Sequence, residues 1–333
     1  MPDFLQPCVL TFTPVYKPYV WGGVSLPARL GRADAPKLDR YAESWELADH
    51  PDGMSVVSAG ALAGRSLHDL VQRFGSALAG SAGPVFPILV KIIDAADRLS
   101  VQVHPDDLSA RRYGGEAKTE CWYVLDAAPG ASIWAGLLPG VSALAFRRAL
   151  GRGDATDLLQ QVPVSRGDVL FIPGGRLHAI GAGCLMLEVQ QPSNTTYRVF
   201  DWNRPGTDGK LRPLHVEEAM RTIRWNDTEP ALVPAGMARV DGANTIWERL
   251  SCPYFRLEEL SLREPLDTRH DGSTFHALYI RSGGVCIRGD GFEAEFPAGV
   301  TALVPAAARA YTLAPRQAEA MAIRLSGPPP GRS

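Results

Sequence analysis

Glycine and proline punctuate this chain, 33 of one and 27 of the other in 333 residues. Both interrupt helices, glycine through backbone entropy and proline through its missing N–H, and both supply turn geometry. The chain is therefore biased towards short strands joined by turns rather than towards a helical bundle. Between the breakers lie β-rich runs: 85–93, 99–103, 121–125, 168–172, 185–190, 256–262, 277–280, 285–288 and 301–304. Helix signals are fewer. Ser66 stands as an N-cap with Asp69 three residues on and Leu67, Leu70, Val71 and Phe74 on one stripe. Further helical patterns run over 141–150, 155–161 and 213–223. These elements predict a mainly-β protein with helical insertions.

A domain of ordinary size has ~150 residues, so this length predicts two. The stretch 226–243, with two prolines, two glycines and weak periodicity, is the expected linker between a first unit (1–225) and a second (244–325). The tail 326–333 carries three prolines and little apolar content, and is expected to fray. An internal echo supports the division. Gly167-DVLFI-Pro173 is followed by His178 five residues after the proline; Gly299-VTALV-Pro305 has the same spacing, with Ala310 in the place of His178. The reading is a turn, a strand and a terminating proline, repeated in two small barrels of which only the first keeps an imidazole.

Charge and cysteine usage exclude several functions. Lys and Arg number 34 against 36 Asp and Glu, a formal net charge of −2, so no global field exists to hold nucleic acid or an anionic membrane, and an anionic ligand must be met locally. Five scattered cysteines without a C-x-x-C pair argue against a disulfide framework or a cysteine zinc knuckle. The N-terminal MPDFLQPCVLTF has no basic stretch before an apolar run, and no 18-residue apolar segment occurs. The expectation is a soluble cytoplasmic protein.

The sharpest local feature is Ser100-Val-Gln-Val-His-Pro-Asp-Asp. On a strand, alternate side chains share a face, so Gln102 and His104 project to one side and Val101 and Val103 to the other. Taken alone, this reads more readily as a solvated edge than as a ligand pair. Glu120, at the head of Cys121-Trp-Tyr-Val-Leu, and His178, past the Pro173 turn, extend the set to two imidazoles, one carboxylate and one amide oxygen, donors suited to a divalent metal.

Gly167-x5-Pro-x-Gly-x2-His resembles the second motif of the cupin superfamily, with Ala182 where that motif usually has Asn. More specifically, the chain resembles type I mannose-6-phosphate isomerases in their short bacterial form. The resemblance rests on Tyr19-Val-Trp-Gly-Gly, Ala42-Glu-Ser-Trp-Glu, Pro87-Ile-Leu-Val-Lys-Ile-Ile-Asp-Ala, LSVQVHPDD (99–107), Lys118-Thr-Glu-Cys-Trp-Tyr, GDVLFIPGGRLHAI (167–180) and EVQQPSNTTYRVFDWNR (188–204). It covers about the first two thirds of the chain, in order. It implies two cupin-like (jelly-roll) β-barrel units, the second metal-free, and one zinc ion per chain held by Gln102, His104, Glu120 and His178. It implies a phosphosugar substrate and active-site roles for Arg198 and Lys118, and substrate contact is expected from Lys91, from Glu43 close beside it, and from Asn194.

Lys91 sits inside Ile88-Leu-Val-Lys-Ile-Ile, where a charged ammonium needs an anionic partner. Asn194 departs from the family, which usually has Asp there; an amide takes up no proton as a carboxylate does. The activity implied is interconversion of mannose 6-phosphate and fructose 6-phosphate through an enediol or enediolate. In this reading a metal polarises oxygen, Arg198 stabilises the enediolate and Lys118 contacts the reacting centre. Metal-bound water and Lys118 both remain as general base, and the phosphate partner is open. The same two-His, one-carboxylate set also suits a non-haem Fe(II) cupin oxygenase, and Asn194 suits a sugar-binding cupin without catalysis.

Overall fold

Runs such as Leu89–Ala95 and Cys184–Gln190 are apolar without strict alternation, a pattern that asks for cover on both faces of a sheet. In the computed structural model, which describes residues 5–80, 83–206 and 208–328, every residue of both runs is buried. In chain order the strands are β1 (Leu10–Thr13), β2 (Val15–Lys17), β3 (Glu43–Leu47), β4 (Asp49–His50), β5 (Gly53–Met54), β6 (Val56–Val57), β7 (Leu89–Ala95), β8 (Val101–Val103), β9 (Glu120–Ala127), β10 (Ser132–Leu137), β11 (Leu159–Pro163), β12 (Val169–Ile172), β13 (His178–Ile180), β14 (Cys184–Gln190) and β15 (Tyr197–Phe200). They continue as β16 (Ala238–Asp241), β17 (Asn244–Ser251), β18 (Arg256–Leu262), β19 (Leu266–Arg269), β20 (His276–Ser282), β21 (Val285–Gly289), β22 (Phe292–Phe296), β23 (Thr301–Val304), β24 (Ala310–Pro315) and β25 (Ala320–Ser326).

These strands form open antiparallel sheets, not barrels, and the expectation of two jelly-roll β-barrel units is corrected accordingly. One sheet has the order β12-β9-β14-β7-β3-β2 and faces another of order β11-β10-β13-β8-β15; a third, β16-β17-β18-β25-β20-β23-β1-β6, faces β19-β24-β21-β22. The terminal strand of each sheet pairs with one neighbour, so no ring of hydrogen bonds closes. Irregular chain takes up the edges instead. Phe171 N donates to Ala231 O and Val233 N to Val169 O along β12, and His215 N donates to Arg198 O along β15. Facing sheets meet through side chains alone, for example Trp122, Val124 and Met186 against Ile133, Ala135 and Ile180. The second pair meets through Leu260, Leu278 and Ile280 against Ile287, Tyr311 and Leu313.

The two large sheets are packed back to back through a shared core that includes Ile92, Tyr123, Leu187, Phe275, Tyr279 and Ile323. The N-terminal strands β1 and β6 belong to the same sheet as the strands of 244–325, and β16 lies within 226–243. Strand order repeats between the two pairs. Taken in sequence, β7 to β14 correspond one to one with β18 to β25, in the same sheets and with the same neighbours.

The helix over Leu67–Phe74 begins with a capping box in which Ser66 and Asp69 satisfy each other's backbone N–H groups. The helical pattern at 155–161 resolves differently: only Ala155–Leu158 turns, as a 3₁₀ segment, before the chain runs into β11 on the edge of β10. Pairing with Ile133 and Trp134 outweighs a weak local preference. Of the tail expected to fray, Ser326 ends β25, and 329–333 lie outside the described residues.

Candidate metal centre

Two local devices bring His104 and His178 together. The chain leaves β8 at Val103 and turns at His104-Pro105-Asp106, against which the Pro173-Gly174-Gly175 turn packs. A Cβ on Gly174 would lie 2.6 Å from Asp106 Cα and 2.7 Å from Pro105 O, so only glycine permits this approach. Gly175, at φ +88°, donates its N–H to His104 O at 2.8 Å. The turn then delivers His178 to the head of β13, opposite Gln102 in register. Glu120 opens β9 on the facing sheet, opposite Ile172 and Gln190.

His104, Glu120 and His178 are each 1% exposed, and one ligand atom from each lies within 4.8 Å of the others. Glu120 spans the imidazoles, with Oε2 3.5 Å from His104 Nε2 and Oε1 3.5 Å from His178 Nε2. The outer ring nitrogens are committed: His104 Nδ1 donates to Thr195 O at 2.8 Å and His178 Nδ1 to Arg176 O at 2.9 Å. This leaves both Nε2 lone pairs turned inward, the orientation that backbone acceptors impose on metal-binding histidines. Burial pushes the His178 pKa down to about 4, and burial followed by the Lys118 charge pushes His104 well below its usual value, so both rings stay neutral and able to ligate. Glu120 Oε2 is buried and accepts no hydrogen bond, although the Lys118 ammonium lies 2.9 Å away. Lys118 Nζ is also 3.1 Å from His104 Nε2, so a cation already stands among these donors. The residues fit a divalent metal.

Gln102 adjoins the triad. Its Oε1 accepts from Ser100 Oγ at 2.9 Å and its Nε2 lies 3.4 Å from His178 Nε2. Turning the amide over exchanges the two atoms.

The other anticipated residues line the same cleft, a cavity of about 200 Å³. Lys91 on β7 is 3% exposed, its Nζ 3.0 Å from Glu188 Oε1 and 3.5 Å from Glu43 Oε2, while Glu43 also accepts from Trp45 Nε1 at 2.6 Å. Burial opposes the Lys91 charge, but Glu188 and Glu43 outweigh it and raise its pKa. Arg198 on β15 donates from Nε to Ser100 Oγ and from Nη1 to Pro213 O, both at 3.2 Å, and has no carboxylate partner among the described residues. Burial and then Arg212 lower its pKa. Asn194 donates from Nδ2 to Asp52 Oδ2 at 2.6 Å, so a carboxylate from the β4–β5 turn stands beside the position where the family usually carries Asp.

Several lining residues were given no role by the sequence reading: Glu188, Arg212, His215, Tyr19 and Trp21. Glu188 accepts from Trp122 Nε1 at 2.8 Å as well as holding Lys91. Arg212 is held by Asp201 through two hydrogen bonds of 2.6 Å. A carboxylate inside the otherwise apolar run 184–189 was the available signal for Glu188.

A buried His₂Glu set whose Glu120 lines a cleft together with Arg198, Arg212 and His215 defines a metal-dependent enzyme site. Comparison narrows the class. A model of the family "Phosphomannose isomerase type I, catalytic domain" matches residues 9–128. Mannose-6-phosphate isomerase of Streptococcus mutans is 39% identical over 237 residues, 71% of this chain and 73% of that protein. The crystal structure of mannose 6-phosphate isomerase from Bacillus subtilis superposes with a TM-score of 0.88 at 28% identity, covering 96% of this chain and 99% of that one. A mannose 6-phosphate isomerase crystallised with zinc and yttrium shares the fold, with a TM-score of 0.72 at 15% identity over 96% of this chain and all of that one. The chain belongs to the type I mannose-6-phosphate isomerases. Among the described residues no helix is long and apolar enough to cross a membrane, and all five cysteines are free thiols.

Proposed function

We propose that this chain interconverts mannose 6-phosphate and fructose 6-phosphate, with one Zn²⁺ per chain held by His104, Glu120, His178 and the side-chain oxygen of Gln102. The observation that carries the reading is one cleft lined by Glu120 of the buried His₂Glu triad, by Gln102 and by Arg198, whose guanidinium has no carboxylate partner among the described residues. In the reaction a proton moves from C2 to C1 while the carbonyl moves from C1 to C2, so the intermediate is an enediol or enediolate and no redox partner is needed. Bound to this set, Zn²⁺ acts as a Lewis acid that orients and polarises the substrate oxygens.

The chain's own groups divide the remaining work. Lys118, whose Nζ adjoins the triad, hydrogen-bonds the substrate oxygen at the reacting centre. Arg198 meets the charge that develops on the enediolate oxygen, where a fixed, half-buried guanidinium is worth more than in water. Arg212 and His215, at the same end of the cleft, receive the phosphate. Trp21, Ile93, Leu99, Trp122 and Ile180 form apolar walls that exclude water. Lys91, Glu43 and Glu188 contact sugar hydroxyls from the β3–β7–β14 floor, and Asn194 with Asp52 lines the mouth. The free thiols support a reducing, cytoplasmic setting.

The test is a coupled assay for fructose 6-phosphate formed from mannose 6-phosphate by the zinc-loaded protein, run with an oxygen electrode. Turnover without oxygen uptake is expected. Oxygen consumption would indicate a non-haem iron oxygenase, and sugar binding without turnover a non-catalytic relative.

A further inference from the structure

The repeat of strand order makes the cleft and the second sheet pair comparable residue by residue. Ile172 and Val304 each precede the proline of the echo; Ile172 pairs with Glu120, and Val304 with His276. One strand further, Glu120 pairs with Gln190 and His276 with Ser326, while Trp122 and Leu278 pair with Glu188 and Arg324. The next strand places Lys91 opposite Glu188 and Glu258 opposite Arg324. Across the sandwich, Gln102 pairs with His178 and Arg269 with Ala310. The second unit therefore has a counterpart of the cleft in which His276 stands for Glu120, Ala310 for His178 and Arg269 for Gln102. The buried Lys91–Glu188 pair reappears reversed, as Glu258–Arg324.

A cavity is present at that counterpart, about 420 Å³ in volume, lined among others by Arg256, Thr268, Arg269, His276, Arg324 and Ser326. It has lost the metal donors and gained cations. Arg324 is 7% exposed, donates from Nε to Glu258 Oε2 at 2.7 Å and also hydrogen-bonds the Tyr311 hydroxyl, and its terminal nitrogens meet no carboxylate among the described residues. Arg269, an exposed residue, lines the cavity and has no ion-pair partner among them. Arg256 Nε is a buried donor without a partner, and the Thr268 hydroxyl, on a residue 8% exposed, has only the Tyr311 hydroxyl nearby and makes no hydrogen bond of ordinary geometry. Arg256 is otherwise paired with Glu248 and Arg239 with Asp241. The carboxylates are engaged, Glu258 by Arg324 and Asp267 by the Thr312 hydroxyl at 2.6 Å. His270 has both ring nitrogens committed to backbone, and His276 Nδ1 is held by Tyr311 at 2.6 Å. The groups the cavity offers are thus N–H and O–H donors with a surplus of positive charge, which suits an acceptor-only ligand.

We propose that this cavity binds a small oxyanion, free phosphate or the phosphate group of a phosphomonoester, at a site separate from the metal cleft. The arginines and the Thr268 hydroxyl donate to its oxygens, and the volume leaves room for the body of a small phosphorylated metabolite.

Tungstate, a heavy analogue of phosphate, soaked into crystals of the zinc-loaded full chain locates the site by anomalous scattering. Orthophosphate binding is then measured by equilibrium dialysis on the wild type, Arg269→Ala and the double variant Arg324→Gln/Glu258→Gln. The double variant removes both charges of the buried pair, so neither is left orphaned, and a melting curve verifies that it folds. A tungsten peak between Arg324 and Arg269 is expected, with phosphate affinity about tenfold or more weaker in Arg269→Ala, as loss of one charge-assisted hydrogen bond dictates. Binding at this site should vanish in the double variant, while mannose 6-phosphate turnover stays at the wild-type level in both. No peak in the cavity, or a phosphate isotherm that the double variant leaves unchanged, overturns the proposal without touching the isomerase reading.

Discussion

Replacing Lys91 by Met separates a structural cation from one that serves only the substrate. The ammonium is 3% exposed and lies 3.0 Å from Glu188 and 3.5 Å from Glu43, both themselves buried. Methionine matches the stem in volume but leaves two carboxylates without their shared counter-ion. Removing one partner of a buried pair costs about 3–5 kcal/mol, because the survivor stays charged in a poorly solvating site. At roughly 2–4 °C per kcal/mol for chains of a few hundred residues, the melting temperature at pH 7 should fall on the order of 10 °C. Lys91→Met/Glu188→Gln should recover at least half of that loss, since the amide needs no counter-ion and still accepts from Trp122 Nε1. The assay is calorimetric or circular-dichroism melting of the zinc-loaded proteins. A single variant melting within about 2 °C of wild type, with only KM raised, would refute the reasoning and leave Lys91 as a substrate ligand without a structural role.

Two other outcomes follow from the same geometry. Arg198→Ala should lower kcat by roughly 10²-fold or more with zinc content intact, measured by coupled kinetics and elemental analysis; a raised KM at unchanged kcat would make it a uniform substrate binder. His276 is kept neutral by burial and then by the Arg324, His270 and Arg256 charges, while Tyr311 holds its Nδ1. Its folded-state pKa is therefore depressed below that of the unfolded chain. Below about pH 6.5 the unfolded state binds the extra proton, so this group lowers stability as pH falls, by up to ~1.4 kcal/mol per pH unit. His276→Gln should flatten the melting-temperature profile between pH 6.5 and 5; an unchanged slope would show that the imidazole is protonated in the fold.

The grouping of His104, Glu120 and His178 was legible from local signals together with the family resemblance. His104 follows directly on the short strand that carries Gln102, Glu120 opens another, and the Pro173-Gly174-Gly175 turn fixes where His178 emerges. The Leu67–Phe74 helix was legible for the same reason, since Ser66 and Asp69 cap it within four residues. What the sequence withheld is non-local. Periodicity identifies strands but not whether a sheet's last edge is bonded to its first, so the barrels inferred from the echo became open sheets whose edges are covered by 231–233 and 213–215. The joining of β1 to β23, nearly 300 residues away, has no local signature. Asn194 looked like a loss until Asp52, 142 residues distant, proved to stand beside it. Arg212 and His215 carry no motif, and only their placement at the end of the cleft marks them.

Metal content and turnover measured on one preparation address the central claim most directly. The protein is stripped with a chelator, titrated with Zn²⁺ and assayed at each step with mannose 6-phosphate, beside His178→Ala and a His270/His276 double substitution. The account predicts that stripping abolishes activity, and that activity returns in proportion to zinc and saturates at one ion per chain. His178→Ala should lose both ion and turnover, whereas the double substitution keeps the same stoichiometry. Full activity in a preparation shown to be metal-free, or a second ion lost with His270 and His276, would contradict it.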